Sequence, residues 1–334
     1  MERKVSLELA IHEAAGERLD KFVTQVVPHL SRSRIQRAIE LGEVTVHGAI
    51  ERCAYRLRRG DVVHVSIDVD APVTTDIEPQ EMPLDILYED DDIIVLNKQA
   101  GLVVHPAAGV DSGTLVNALV AHFPRLRNTG THGRPGLVHR LDKDTTGVIV
   151  VAKTETAHTD LTEQIRLRQV EKTYSAVCYG CPSPEYGVVN APIGRHPVDR
   201  KKMAIVEESR RGRPAVTRYE VLERYPGMSL LSVDIETGRT HQIRVHLHHI
   251  GHACVGDPIY GPGVARPREI PRSDWEGGVW SLVEALPGQA LHAARLAFRH
   301  PATEEQMAFE APWKGPFKAL IEGLRDYSAG RPLT

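Results

Sequence analysis

A cluster of charged side chains stands directly before an apolar run in residues 138–151, which read VHRLDKDTTGVIVV. Asp142 and Asp144 supply two carboxylates, and His139, Arg140 and Lys143 supply cations or potential cations within the same six positions. A carboxylate beside cations can act as a nucleophile or as a general base. Polar loops held by a rigid scaffold often carry such groups. The alternative is a solvated charged turn, because charge clusters are usually surface features.

Three further segments carry polar residues that a purely structural role does not explain. Tyr174 stands in the middle of a strand-like run, residues 171–177 (EKTYSAV), where packing is the alternative. Residues 237–247 (TGRTHQIRVHL) hold two arginines, two histidines and a glutamine at positions where a buried sheet would hold aliphatic residues. Residues 291–301 (LHAARLAFRHP) are the third segment.

Two groups of residues could suggest a metal ion. The histidines between 241 and 252 are crowded, but neither an HExxH motif nor a carboxylate stands at ligand spacing beside them. Cys178 and Cys181 form a single CxxC without a second pair at zinc spacing. We therefore predict no metal site, and a metal-dependent hydrolase is kept as an alternative that bound zinc would reveal.

The composition is ordinary for a globular protein of one large and one small domain. The chain has 334 residues, of which 41% are hydrophobic and 25% charged. Its four cysteines do not form the disulfide framework of a secreted protein. Neither a signal peptide nor a membrane span is expected, because no apolar run is long enough. We expect a cytoplasmic protein without a membrane partner.

The first 68 residues predict a small domain of two helices and three strands. Helical periodicity begins near residue 16 and ends before Pro28, and a second helix follows over roughly 32–41. Strands are expected at 5–9, 44–46 and 61–67. Residues 69–83 are rich in Pro, Asp and Thr without periodicity, and this predicts a linker.

A larger α+β domain is predicted over residues 84–326, followed by a C-terminal tail, 327–334. A hairpin is expected at 86–97, a helix at 114–123, a buried strand at 148–152 and an amphipathic helix at 157–168. Between 171 and 236 short apolar runs alternate with Gly and Pro breaks. This pattern indicates a mixed, largely antiparallel sheet.

Five motifs occur in a characteristic order along the larger domain. They are HRLDKDTTG, EKTYSAV, ETGRTHQIRVHLHHIGH, VGDPIYG and LHAARLAFRHP. In this order they resemble the RluA-type pseudouridine synthases. The helix–helix–strand order around SRSRIQRAIELGEVTVHG resembles the S4 RNA-binding domain over residues 17–68. Together the two resemblances cover nearly the whole chain.

The resemblance implies an RNA isomerase that uses neither a cofactor nor a metal. Such an enzyme breaks the bond between uracil and ribose, turns the base and rejoins it through carbon. Asp142 matches the family's catalytic carboxylate, Arg244 the arginine that pairs with it, and Tyr174 the tyrosine that stacks on uracil. A cation beside the aspartate is expected to lower its pKa.

Residues near the catalytic set are expected to hold the extruded nucleotide. His139 and Arg140 flank the aspartate, and by resemblance Arg140 holds the flipped nucleotide or fills its place in the RNA. Leu291 is expected in the apolar wall against the base. Extrusion costs a few kcal/mol and is least costly in a loop or bulge.

Two basic clusters are expected to grip RNA phosphates, although the formal net charge is −3. The candidate RNA-binding residues are Arg32, Arg34, Arg37, Arg195, Arg200, Lys201, Lys202 and Arg211. The alternative for each cluster is a solvated face. By resemblance the substrate is a stem-loop of large-subunit ribosomal RNA, free or in a pre-ribosomal particle, and we expect a monomer. The alternative functions are a non-catalytic ribosome-assembly factor and a sister synthase that acts on other uridines.

Overall fold

The computed structural model describes residues 4–330 apart from 13, 29, 31, 69–76, 107–109, 111, 132–133, 200 and 262–277, and it leaves out the side chains of residues 4, 32, 33, 68, 128 and 131. The strands, numbered in chain order, are β1 Lys4–Ala10, β2 Val44–Val46, β3 Val62–Asp68, β4 Ile86–Glu89, β5 Ile93–Lys98, β6 Gly130–Thr131, β7 Arg134–Pro135, β8 Thr146–Ala152, β9 Glu171–Tyr179, β10 Tyr186–Asn190, β11 Ile193–Arg195, β12 Met203–Ile205, β13 Val216–Tyr225, β14 Met228–Ile235, β15 Leu291–Arg299 and β16 Gln306–Glu310. The helices are α1 Leu19–Val26, α2 Arg32–Glu40, α3 Leu115–His122, α4 Glu155–Arg166, α5 Gln242–His249, α6 Val279–Glu284 and α7 Gly315–Ser328.

The first domain packs α1 and α2 on a three-stranded antiparallel sheet in the order β1-β3-β2. Apolar residues at helical spacing, such as Leu19 and Val23 on α1 and Ile35 and Ile39 on α2, are fully buried in its core. The predicted elements of this region all occur, and β2 has the bounds that the sequence predicts.

The larger domain is built on one nine-stranded sheet. Its strand order is β10-β13-β14-β9-β15-β8-β5-β4, and β16 also pairs with β15. All its pairings are antiparallel except the short one between β15 and β8. The α+β class with a mixed, largely antiparallel sheet is therefore confirmed.

The two faces of the sheet are buried by different helices because strand residues alternate sides. Ile94 and Ile149 face a core that includes α3 and α5, whereas Val95 and Val150 face α4. Helices α6 and α7 cover a further part of the sheet around β9 and β14. The sheet is consequently a rigid scaffold for the loops at its strand ends.

The segment between the two domains is partly fixed to the larger one. Ile77 is buried in the core that contains α3, and the amide of Asn117 on α3 donates to the Glu78 carbonyl at 2.8 Å. Residues 69–76 of the predicted linker lie outside the described residues. Helix α7 continues two residues beyond the predicted domain end at Asp326, and the domain boundaries remain predictions. Within the described residues, no helix combines the length and the hydropathy needed to cross a membrane.

Candidate active site

The loop that carries Asp142 runs from β7 into β8 and is fixed to the end of β5. The Lys98 ammonium, on β5, donates to the backbone carbonyl of Lys143 at 2.8 Å and to those of Gln99 and Leu102 at 2.9 Å each. Lys98 is only 2% exposed, so these three carbonyls replace its water ligands. The charged loop of the sequence is therefore anchored rather than freely solvated.

The end of the same loop is fixed to the start of β15. The Thr146 hydroxyl lies 2.7 Å from His292 Nδ1. Gly147 follows with φ +108°, and a Cβ atom there would collide with the backbone of Ala293. Only glycine permits this approach of the two strands.

Arg244 joins two carboxylates in a buried network. Its Nη1 donates to Asp142 Oδ2 at 2.9 Å, and its Nε and Nη2 donate to Asp257 Oδ2 and Oδ1 at 2.6 and 2.9 Å. The Arg244 and Asp257 side chains are 4% and 0% exposed, whereas that of Asp142 is 18% exposed. Asp257 therefore orients the guanidinium by a bidentate contact, and Asp142 presents its carboxylate to the solvent side.

Asp257 is held as an anion by its surroundings. Its Oδ1 also accepts from the backbone N–H groups of Ile259 and Tyr260 at 2.8 and 3.0 Å. Burial alone would raise the pKa of Asp257, but the hydrogen bonds and charge of Arg244 together with these amides lower it. Burial likewise opposes the charge of Arg244, and the two carboxylates raise its pKa above the ordinary value.

Helix α5, which carries Arg244, lies in the polar segment 237–247, to which the sequence analysis assigns no element. The chain turns through His241 (φ 56°) and begins the helix at Gln242. The side-chain oxygen of Gln242 accepts from the Thr237 hydroxyl at 2.7 Å and from the Arg239 backbone N–H at 3.0 Å. Its side-chain NH₂ group donates to the Val216 backbone carbonyl at 2.9 Å. Two local contacts and one long-range contact to β13 therefore fix Gln242 at the start of the helix.

Tyr174, Leu291 and Asp142 line one cavity of about 60 Å³. Tyr174 lies on β9 opposite Ala293 of β15, and its side chain is 7% exposed. Ile235 adds a third apolar wall. Burial and the charge of Asp142 raise the pKa of Tyr174, so the phenol stays protonated at neutral pH.

His139 and Arg140 occupy different positions beside this cavity. Arg140 is exposed and lines both the first cavity and a larger neighbouring one, whereas His139 lines only the second. His139 Nε2 accepts from the Val150 amide of β8 at 3.1 Å. Burial, with a smaller contribution from Lys172, lowers the pKa of His139 to about 3, so the ring is neutral.

The basic segment 195–213 forms a hairpin beside the site. Arg195, Lys201 and Arg211 are exposed, Lys202 is half-buried, and Arg200 lies outside the described residues. The described residues of this segment line neither cavity. The hairpin reaches the site indirectly, because the Met203 amide donates to the Tyr260 hydroxyl at 2.8 Å and His241 Nδ1 lies 2.9 Å from the same oxygen.

The candidate RNA-binding arginines of α2 differ in exposure. Arg34 is 8% exposed and donates to Glu43 at 2.7 Å, which gives it a structural partner inside its own domain. Arg37 is half-buried and lies 3.6 Å from Glu40. The side chain of Arg32 lies outside the description.

Three residues of the site escaped the sequence prediction: Lys98, Asp257 and Lys172. Asp257 stands in the motif VGDPIYG, but its pairing with Arg244 thirteen positions away has no local signal. Lys98 and Lys172 stand in strands, where a lysine usually marks an exposed position. Their burial becomes visible only in the folded chain.

Comparison with known families agrees with this geometry. The family described as RNA pseudouridylate synthase matches residues 92–249, and the S4 domain matches residues 17–63. A Synechocystis protein described as an uncharacterized RNA pseudouridine synthase is 46% identical over 314 residues, which are 93% of this chain and 90% of that protein. Ribosomal large subunit pseudouridine synthase D of Pseudomonas aeruginosa is 44% identical over 320 residues, 94% of this chain and 93% of that protein.

Solved structures give the same result. Human RNA Pseudouridylate Synthase Domain Containing 4 superposes with a TM-score of 0.57 at 31% identity, over 72% of this chain and 93% of the human chain. Human RNA Pseudouridylate Synthase Domain Containing 1 gives a TM-score of 0.52 at 27% identity, over 71% of this chain and 86% of that chain.

Proposed function

The chain belongs to the RNA pseudouridine synthase family and carries an S4 domain, and from this premise we propose that it converts specific uridines in a stem-loop of large-subunit (23S) ribosomal RNA to pseudouridine. Several relatives are named ribosomal large subunit pseudouridine synthase D. We further propose that it acts in the cytoplasm as a monomer, on free or pre-ribosomal RNA.

The observation that carries the proposal is the network Asp142–Arg244–Asp257 beside a cavity that Tyr174, Ile235 and Leu291 also line. Asp142 supplies the carboxylate that starts the isomerisation, and Arg244 orients it through the 2.9 Å contact. Asp257 fixes Arg244, so the charge that faces the nucleoside is preorganised before RNA binds.

The walls of the cavity suit a flat pyrimidine. Tyr174 stacks on the uracil, and Leu291 on the neighbouring strand β15 adds apolar wall against the base. The Tyr174 phenol is protonated, so it acts as a hydrogen-bond donor before the reaction begins. Arg140 at the mouth holds the extruded nucleotide or occupies the position it leaves in the RNA.

The proposal is tested by mapping pseudouridine in large-subunit ribosomal RNA from cells that lack this gene. Complementation with the wild type should restore the lost modification, and complementation with Asp142→Asn should not, because the amide keeps the shape but removes the charge. Asp91→Asn, which changes an exposed carboxylate between β4 and β5, is the matched control and should restore it.

Each alternative outcome has a definite meaning. Loss of pseudouridine at a different ribosomal hairpin would support the proposed reaction and show that the enzyme modifies other uridines. Restoration by Asp142→Asn would reject Asp142 as the catalytic carboxylate. A wild-type protein that binds the RNA without modifying any uridine would be a binding factor.

A further inference from the structure

A second cavity of about 470 Å³ opens beside the first and is much larger. The two share five lining residues, namely Arg140, Tyr174, Ile235, Gly238 and Arg239. A chain that enters the second cavity can therefore continue into the first without leaving the protein surface.

The walls of this second cavity are strongly basic. Six cations line it, Arg134, Arg140, Arg166, Arg168, Lys172 and Arg239, against one carboxylate, Glu236. Arg168 pairs with Glu236 at 3.4 Å, and Arg166 pairs with Glu163. The other four cations have no carboxylate within ion-pair distance in the part of the chain that the structure describes.

Lys172 is the most unusual of these cations. It is 8% exposed, and across the described residues its ammonium has neither a hydrogen-bond nor an ion-pair partner. Burial lowers the pKa of Lys172, and no nearby carboxylate opposes the shift. The stem of Lys172 is thus buried while its ammonium faces the cavity without a carboxylate partner among the described residues, and an anion bound in the cavity would stabilise its charged form.

The two histidines of the cavity do not compete for that anion. Burial, followed by the charges of Arg134 and Arg140, lowers the pKa of His105 to about 4. His139 is neutral for a similar reason. The surplus positive charge of the cavity therefore resides in its lysine and arginines.

The position of Lys172 relates the second cavity to the reaction site. Lys172 and Tyr174 are two residues apart on β9, about 7 Å along the strand, and both line the second cavity. One nucleotide can span this distance, with its base at the tyrosine and a phosphodiester at the lysine.

We propose that the second cavity binds the phosphodiester backbone next to the target uridine, with Lys172 as its buried anchor and Arg134, Arg140 and Arg239 at its rim. A row of cations in a cavity of this size fits a polyanion better than a single small anion. The identity of the bound strand rests on the proposed function. Lys172 is in this sense a positioning residue, because it acts on the phosphate rather than on the reacting atoms.

The first experiment compares the wild type with Lys172→Met in binding to large-subunit ribosomal RNA fragments at several salt concentrations. The variant should bind about tenfold more weakly. The slope of log K against log salt should be shallower by about 0.7, because one phosphate contact is lost. Lys318→Met removes the same charge from an exposed position of α7 and should change neither the affinity nor the salt slope. Thermal unfolding checks the fold, and Arg239→Gln offers a second variant in the same cavity.

The second experiment neutralises individual phosphates of a short stem-loop that contains the mapped uridine. One methylphosphonate linkage beside that uridine should weaken wild-type binding about tenfold and leave binding by Lys172→Met unchanged. Equal affinity and equal salt slope for wild type and Lys172→Met would overturn the proposal. It would also be overturned if every methylphosphonate weakened binding by the wild type and by Lys172→Met to the same extent. The same assays record pseudouridine formation by the wild type. A wild type that forms none would reject the proposed function, while the binding comparison would still decide the role of the cavity.

Discussion

At the scale of single residues, the protein places ionisable groups where burial and neighbours fix their charge. Asp257 is kept ionised by Arg244, whereas His139 is kept neutral by burial beside β8. Both states are needed for the geometry described here, because Arg244 needs an anionic partner and the Val150 amide needs an imidazole acceptor. The hydrogen bonds of this site therefore depend on the charge states of Asp257 and His139.

His139 predicts a specific sensitivity to acid. Its pKa is about 3 in the folded chain and 6.5 without the fold, so the unfolded state binds the extra proton first as pH falls. The stability that neutral His139 provides is complete above about pH 6.5 and decreases toward about pH 3. Relative to His139→Gln, the wild type should lose about 2 kcal/mol between about pH 7 and about pH 4.5 in urea unfolding.

The matched control for this measurement is His12→Gln, which replaces an exposed histidine of the first domain. Its free energy of unfolding should follow that of the wild type across the same range. A constant difference between the wild type and His139→Gln at all pH values would contradict the prediction.

At the scale of elements, the loop before β8 owes its shape to contacts from β5 and β15. Lys98, at the end of β5, donates from its ammonium to three backbone carbonyls, one of them in the loop. Thr146 contacts His292 near the start of β15. Burial lowers the pKa of Lys98 to about 7, although the charges of Asp144 and Asp142 oppose the shift. The loop is thus held by a buried ammonium whose desolvation is unfavourable. We therefore expect the position of the loop, and of Asp142 in it, to be important for the reaction.

Replacement of Lys98 by methionine tests this support. Three carbonyls, of which that of Leu102 is buried, would lose their donor, so the free energy of unfolding should fall by about 2–4 kcal/mol. The turnover number should fall at least about tenfold, because a displaced Asp142 no longer meets the nucleoside in a productive geometry. Urea unfolding and single-turnover pseudouridine formation measure the two effects. Lys21→Met on exposed α1 is the control, and unchanged turnover in a folded Lys98→Met variant would contradict the prediction.

At the scale of the whole molecule, the two domains have separate cores. The core of residues 4–68 shares no member with the clusters of the larger domain in the part of the chain that is described. Each domain can consequently fold around its own apolar residues. This separation favours a division of labour in which the S4 domain adds affinity and the larger domain performs the chemistry.

Deletion of residues 1–70 tests that division. The truncated chain should bind structured ribosomal RNA at least about tenfold more weakly, because one of two linked contacts is lost. The single-turnover rate at saturating RNA should stay within about threefold of the wild type, because the deletion leaves the catalytic network intact. Unchanged affinity would refute the tethering role, and the thermal unfolding of the truncated chain provides the control for its fold.

The sequence by itself determined most of the secondary structure and the identity of the family. Helix α1, strand β2 and strand β8 follow from local periodicity, which needs no knowledge of distant residues. The motifs around Asp142, Tyr174 and Arg244 indicated which side chains would meet, and the structure places these three at one cavity.

Only the tertiary structure decided how these residues are supported. Helix α5 begins at Gln242 because its side chain bonds Thr237 in the preceding turn and the Val216 carbonyl of β13, whereas a short apolar run alone does not distinguish helix from strand. The partners of Arg244 and Lys98 are set by chain crossings that leave no periodic signal in the sequence. The burial of Lys172 and of Arg34 depends on the same long-range packing, since the charge of a side chain does not determine which surface the fold covers.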